Sequence, residues 1–288
     1  MLLKYFKMRD KLSPSQKKFL QTLELEGSFK ISNLLKELVF LGKMDAAGDQ
    51  SRKTLGYIIT ISLILAFFSA LILVHISPLL CGITEVILIS LAITSAIFMF
   101  ILKKGDLDNN LRLFTIPFLG VLKEEMHEKG KINLSLNAKN PLHKSFHFDE
   151  KLLPPRTNGY VTDQRTISYY KQVPLKGNVT FSDNTDFTFE FSDFSQKIKI
   201  KKVRGAKTKY KEKHKKAIKL NLCLTFPKST YARNEAGNTN MPLVITENEQ
   251  SIKVKGKVVF KALQKDATAP LNPSIHAIQQ MYKAVKPI

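Results

Sequence analysis

The residues best equipped to do chemistry in this chain are lysines. From Lys197 to Lys219 it reads KIKIKKVRGAKTKYKEKHKKAIK, with 12 basic residues and a single acid, Glu212. Lys207, Lys209, Lys211, Lys213 and Lys215 alternate strictly, and Lys219 keeps their parity. On the other parity, Ile218, Leu220, Leu222, Leu224 and Phe226 form an apolar row. A helix would scatter both sets, whereas a strand sends them to opposite faces. Just before, Lys197, Lys199 and Lys201 alternate with Ile198 and Ile200, and the Arg204-Gly205-Ala206 break turns the chain. Later, Lys253, Lys255, Lys257 and Lys261 alternate with Ile252, Val254, Val258 and Phe260. The pattern predicts a projecting two-stranded ribbon and a sheet face that is basic across several strands.

The chemistry on offer is anion binding. Same-face lysines on one strand stand ~6.8 Å apart, and like charges facing each other across strands repel. An anionic partner relieves that repulsion, and beside an anionic leaflet each lysine contributes about 1 kcal/mol. The contact candidates are Lys197, Lys199, Lys201, Lys207, Lys209, Lys211, Lys213, Lys215, Lys219, Lys253, Lys255 and Lys257. Lysines on strands also serve simply to block edge-to-edge aggregation and keep a domain soluble. Nucleic acid is the lesser partner. Single-strand sites add aromatic stacking platforms, and here only Tyr210 and His214 interrupt the lysines. Non-specific backbone binding, which needs only positive charge, stays open.

Other chemistry is thin. His143-x3-His147 with Asp149 nearby is the best metal spacing, but it follows Pro141 in loop-like sequence, where that spacing need not bring two imidazoles together. No metal and no cofactor are assigned. Asp183, Asp186 and Glu190 read as turn and solvent-face residues. No P-loop, dinucleotide glycine pattern, serine nucleophile elbow or zinc-protease helix is present, so the chain is not read as an enzyme. Cys81 and Cys223 have no paired spacing, which fits a reducing compartment.

The element that positions everything else is the apolar block from Leu55 to Leu102, broken at Ser77-Pro78. Each half reaches the ~20 helical residues that a hydrocarbon core requires. The block holds no Lys or Arg, and its one formal charge is Glu85. Glu85 falls near the expected outer headgroups, where His75 is within reach as a partner. Arg52-Lys53 and Lys103-Lys104 flank the block, and the turn between the halves has neither residue type, so both termini are expected in the cytoplasm. No cleaved leader is expected, because MLLKYFKMRD has no uninterrupted apolar core. The chain of 288 residues has a net charge of +21, and most of the excess lies after the block.

Four segments follow: a cytoplasmic amphipathic segment over 1–54, a transmembrane hairpin over 55–102, a linker and docking helix over 103–130, and a basic β-rich domain over 131–288. In the first, Ser13 or Ser15 caps a helix through KKFLQTLELE, a second helix runs from Ile31 to Met44, and Asp45 to Arg52 is a linker. In the third, Thr115 caps a helix with Pro117 in its first turn, stopped at Gly130. In the fourth, Ile132, Leu134 and Leu136 alternate in a strand. Residues 141–173 break into loops at Pro141, Pro154-Pro155 and Asn158-Gly159, with a strand over Thr166–Tyr170. Leu175 to Phe181 and Phe187 to Phe191 form a hairpin. Strands at Leu243–Thr246 and 251–263 and a helix capped by Asn272, with Pro273 at its first position, complete the chain. The expected fold class is an α+β membrane protein: a two-helix hairpin, then a mainly antiparallel, sandwich-like cytoplasmic domain.

The stretch GNVTFSDNTDFTFEFSD, followed by the lysine ribbon and LNLCLTFPKSTY, resembles an uncharacterised group of bacterial membrane-anchored proteins. Those carry a membrane anchor, a VxFxDxxxFxF-like hairpin and a ribbon of alternating Lys or Arg-Thr. The resemblance covers about residues 107–231 and implies a bacterial inner-membrane setting. The group has no known activity, so no functional residues transfer. The first ribbon strand is more hydrophobic here, and 232–288 has no counterpart. The functional expectation is a membrane-anchored interaction or scaffold protein whose lysine face meets inner-leaflet lipid or an acidic polymer or protein. The alternatives are a subunit of an oligomeric channel or transporter, or an enzyme of unknown class.

Overall fold

The computed structural model describes residues 2–158, 161–234, 239–262 and 268–288; for residues 73–76, 104, 158, 161 and 262 the description covers the backbone. The chain forms two compact units. One holds Met1–Gln21 and Glu37–Leu107, the other Thr22–Lys36 and Asp108–Ile288.

The first unit is helical. It contains α1 (Leu2–Asp10) and α2 (Pro14–Thr22). Ser13 and Gln16 form a capping box at the start of α2: Gln16 N–H donates to Ser13 Oγ at 3.2 Å, and Ser13 N–H donates to Gln16 Oε1 at 3.0 Å. The expected helix through LELE ends at Thr22 instead. Leu23 takes a left-handed φ of 56°, and Glu24–Lys30 becomes strand β1 because it has a partner strand to pair with. The expected linker over 45–52 is also helix. It lies inside α3 (Ile31–Ile76), where Asp49 pairs with Arg52 one turn on and Gly48 lets the Tyr5 ring approach. After Ser77, α4 (Pro78–Lys104) starts with Ser77 Oγ accepting from Leu80 N–H.

Both α3 and α4 contain stretches long and apolar enough to cross a membrane, yet only 11% and 17% of those stretches are buried. Between residues 56 and 101 the buried side chains, among those described, are small: Ser62, Cys81, Ala92 and Ser95. Large ones such as Phe67, Ile72, Leu79, Val86 and Phe100 are exposed. This inverts the arrangement of a soluble core helix and matches helices that pack through small residues in lipid.

The second unit is built on one antiparallel sheet. The strands in chain order are β1, β2 (Lys131–Asn137), β3 (His147–Asn158), β4 (Val161–Thr180), β5 (Asp186–Arg204), β6 (Lys207–Pro227), β7 (Tyr231–Arg233), β8 (Leu243–Glu247), β9 (Ser251–Ala262) and β10 (Val285–Pro287). Eight form the sheet, in the order β1-β2-β4-β5-β6-β9-β8, with β3 on the first half of β4; β7 and β10 pair separately. One face is apolar: Ile132, Leu134, Leu136, Phe187, Phe189, Phe191, Leu220, Leu222, Leu224 and Phe226 are all buried. Helices cover it. A π turn (Leu111–Thr115) leads into α5 (Ile116–Glu125), with Phe114 stacked on Phe191 at 5.0 Å and Phe118 edge-on to Phe189 at 5.3 Å. The last helix, α6 (Leu271–Tyr282), packs on β6 and β9. The sandwich-like expectation is therefore corrected: helices, not a second large sheet, close this core among the described residues.

Smaller differences have local causes. The α5 segment starts at Leu111, and Thr115 is helical with no cap bond, so the helix enters through the π turn ahead of Pro117. Pro270, not Asn272, precedes α6. The expected loops over 141–173 are mostly strand. Pro154-Pro155 sits at a register shift between Leu153 and Arg156, and Pro174 at another between Gln172 and Leu175, where no ladder N–H is needed. Gly159 and residue 263 lie outside the described residues.

Candidate anion-binding face

Beyond Asp193 the apolar row on β5 gives out, and the sheet continues as an arm. It has four strands rather than the expected two: β3, the first half of β4, the second half of β5 and the first half of β6. Along 197–204 and 207–215 every side chain is exposed or half-exposed except Ile200. Ladder hydrogen bonds and cross-strand pairs hold the arm in place of a core.

The turn decides where the charges go. Gly205, at a left-handed φ of 54°, and Ala206 link Arg204 to Lys207 directly, so odd positions of β6 face even positions of β5. Lys207, Lys209, Lys211, Lys213 and Lys215 therefore lie on one face with Arg204, Lys202, Ile200, Ile198 and Gln196. On that face β4 adds Asp163, Arg165, Ile167, Tyr169 and Lys171, and β3 adds Asp149, Lys151, Leu153 and Arg156. Eleven basic side chains thus share one face with two carboxylates. One of the two, Asp163, is shared by Lys202 at 3.3 Å and Arg165 at 3.5 Å.

Lys197, Lys199 and Lys201 are on the opposite face, and the expected single basic ribbon face is corrected accordingly. There they meet Tyr210, Glu212, His214 and Lys216. Lys197 Nζ is 3.2 Å from Glu212 and His214 Nε2 is 2.9 Å from it. Desolvation pushes the Glu212 carboxyl up, but bonds and charge from Lys197 and His214 together win and hold it below the usual carboxylate range. With the buried Lys216 set aside, this second face has three lysines against two carboxylates, Glu212 and, from β3, Glu150.

The basic face continues into the body of the sheet. Lys253, Lys255 and Lys257 pair with Thr225, Cys223 and Asn221, and Lys219 pairs with Val259, all on the side away from the core. Ile200 is only 6% exposed although its cross-strand partners on this face are Arg165 and Lys211. A concavity of 250 Å³ there is lined by Arg165, Ile198, Ile200, Lys202, Lys211, Lys213 and Lys215. The aliphatic stems cover the isoleucines and hold the charged heads outward. Lys202, Arg165, Lys151 and Arg156 were missed in the sequence. Lys202 was recoverable from a two-residue turn; the others needed strands that the prolines concealed.

Lys216, inside the lysine run, is not on the surface. It is buried against Asp193, Nζ to Oδ2 at 2.8 Å, and Ser195 Oγ donates to Asp193 Oδ1 at 2.8 Å. Asp108 stands near: burial pushes its carboxyl up, and Asn110 and Lys216 only partly offset this. Asp183, in the β4–β5 turn, accepts from Tyr231 at 2.7 Å and Tyr282 at 3.1 Å.

The remaining candidates do not assemble. His143 bonds Ser145, while His147 lies against the Tyr170 ring with Nε2 3.7 Å from Glu150. Asp45, Asp49 and Asp106 cluster, but Arg52 pairs with two of them and Asp45 accepts from Leu107 N–H. Cys81 Sγ is 3.3 Å from Glu85 Oε1; the His75 side chain, its expected partner, is outside the described residues. No family model, no curated protein and no solved structure matches the chain. The functional argument rests on the charge geometry.

Proposed function

We propose that this is a membrane-anchored interaction protein whose lysine-rich sheet face binds an anionic partner, with inner-leaflet lipid the first choice and an acidic polymer or protein the other source of the same charge. The observation that carries this reading is the sorting of charge by strand register: eleven basic groups against two acids on one face of the arm, and three surface lysines against two acids on the other. Lysines needed only for solubility have no reason to be segregated in this way, whereas a flat anionic surface requires it.

The anchor is the α3–α4 hairpin, crossing twice, with both ends in the cytoplasm of a bacterial inner membrane. Strand pairing supports the even number of crossings. β1 precedes both helices and β2 follows them, yet Glu24 to Lys30 pairs residue for residue with Asn137 to Lys131. Those strands must lie on one side of any membrane between them. Basic residues at both hairpin ends favour the cytoplasmic side.

Lysine footprinting tests the reading. The full chain is reconstituted in nanodiscs of neutral or anionic lipid, treated with an amine-acylating reagent and read by mass spectrometry. The full chain is required because β1 lies ahead of the helices. Anionic lipid should protect Lys207 to Lys215 and leave Lys199 and Lys201 reactive, and salt should abolish the protection. Protection in neutral discs by added polyphosphate or single-stranded DNA would instead point to a soluble polyanion. Equal reactivity of both faces under all conditions sinks the proposal.

A further inference from the structure

A second site lies within the helical unit, at the end of α4. There α1, α2 and the last turn of α4 enclose a cleft of 560 Å³. Phe6 sits edge-on to Phe98 at 6.2 Å, which pins α1 beside the apolar part of α4. Tyr5 is 4% exposed, and its hydroxyl lies 2.7 Å from where a Cβ on Gly105 would be, so Gly105 is what lets α1 close on the helix end. Into the cleft so formed face Arg9, Lys17, Asp10, Leu20 and Ile101. Neither Arg9 nor Lys17 has an ion-pair partner among the described residues.

The lining is amphiphilic in a particular order. Two cations and one carboxylate stand on α1 and α2, while Leu20 and Ile101 are apolar. Ile97 is one helical turn from Ile101 on the same side and 56% exposed, so the apolar track runs on along α4 away from the charges. A free phosphate would use the cations and leave the track empty. A fatty acid would leave Asp10 without a role. A glycerophospholipid uses all of it.

We propose that this cleft binds one glycerophospholipid, with its phosphate between Arg9 and Lys17 and an acyl chain along Ile101 and Ile97. Asp10 at the rim faces a headgroup ammonium, so ethanolamine-type lipid is preferred to glycerol-type lipid. The inference rests on the membrane placement proposed above, but not on the lysine face.

The test is native mass spectrometry of the full chain, purified in detergent, stripped of lipid and titrated with phosphatidylethanolamine, phosphatidylglycerol or inorganic phosphate. The expected result is a single saturable phosphatidylethanolamine adduct, weakened about tenfold or more in Arg9→Gln/Lys17→Gln and restored in Arg9→Lys/Lys17→Arg. Asp10→Asn should remove the preference over phosphatidylglycerol. Equal lipid retention by Arg9→Gln/Lys17→Gln overturns the site, as does competition by phosphate alone at the lipid's own concentration. A chain that stays soluble and monodisperse without detergent would instead overturn the membrane placement, so the two failures are distinct.

Discussion

Lys216 Nζ lies 2.8 Å from Asp193 Oδ2, and both side chains are buried where the arm leaves the body of the sheet. The pair is diagonal across β5 and β6, since Asp193 faces Ile218 and Lys216 faces Ser195. On the body side the same face is phenylalanine and leucine; on the arm side it is polar. The ion pair therefore marks the point where the core ends. Lys216 is thus a structural residue within a run of surface lysines.

Removing one partner leaves the other as an uncompensated buried charge. Lys216→Ala or Asp193→Ala is expected to cost about 3–5 kcal/mol. Asp193→Leu with Lys216→Met is expected to recover most of that, because an apolar pair of similar volume avoids the desolvation penalty. Denaturant melts of the full chain in detergent, followed by circular dichroism, give both numbers. A double variant no better than the single ones would show that the pair does more than satisfy its own charges.

Sequence period revealed the large features and failed at specific places. The alternation of Phe187, Phe189 and Phe191 and of Leu220 to Phe226 marks core strands without ambiguity, and all seven side chains are buried. The break at Ser77-Pro78 marks the helix turn for a local reason, a serine cap followed by proline. β1 was invisible because LELEGSF is helix-compatible until the left-handed Leu23 and the partner β2 fix it as a strand. β3 was hidden by two prolines that a register shift accommodates. Which lysines share a face depended on one number, the two residues of the Gly205-Ala206 turn, and period alone does not supply it. A fragment cut at residue 107 would lack β1, which no reading of the C-terminal sequence could have warned of.

The Asp183 carboxylate ties the β4–β5 turn to the C-terminal elements, and it makes stability pH-dependent at both ends. Desolvation pushes Asp183 up, but the bonds from Tyr231, Thr185 and Tyr282 win and hold it below its ordinary value. Its contribution is therefore present above the unfolded value of about 3.9 and is lost as pH falls through the lowered one. Tyr231 is pushed up to about 12, by burial first and then by Asp183. Tyr282 is pushed up for the same reasons. Their contribution is complete below about 10 and is lost as pH rises toward the raised values. Tyr231→Phe should cost about 1.5–3 kcal/mol at neutral pH and flatten both limbs of a stability–pH curve. An unchanged curve in that variant would rule out the linkage.

Two glycines should rank in the opposite order to their exposure. A Cβ at Gly177 would lie 2.8 Å from Asn133 O and 2.8 Å from the Phe189 ring. Both neighbours are fixed in the sheet, so Gly177→Ala is expected to lose about 1–3 kcal/mol by overpacking. Gly205 has open space around it and only its left-handed φ to protect, so Gly205→Ala should cost about 1 kcal/mol. Gly205→Asn should recover part of that, because asparagine tolerates this conformation. Thermal melts of the three variants decide it, and a Gly205→Ala loss exceeding that of Gly177→Ala would contradict the packing argument.

The pairing of β1 with β2 makes a prediction about sidedness that does not depend on charge rules. Strands that exchange hydrogen bonds over Glu24 to Lys30 and Lys131 to Asn137 share one compartment. If α3 and α4 both cross a bilayer, Ser77 lies in the other. With Cys81 and Cys223 replaced by serine, single cysteines at Ser77, Ser28 and Ser135 report this directly. In intact cells a membrane-impermeant maleimide should treat Ser28→Cys and Ser135→Cys alike and Ser77→Cys oppositely; that Ser77→Cys is the one labelled before permeabilisation is the added expectation from the basic hairpin ends. Labelling of Ser28→Cys and Ser135→Cys on opposite sides would break the sheet and is excluded by the pairing. Labelling of all three only after permeabilisation would mean that the hairpin dips into one leaflet without crossing. The exposed isoleucines and phenylalanines of α3 and α4 would then be covered by a single leaflet or by protein, and the lysine face would still stand on the cytoplasmic side.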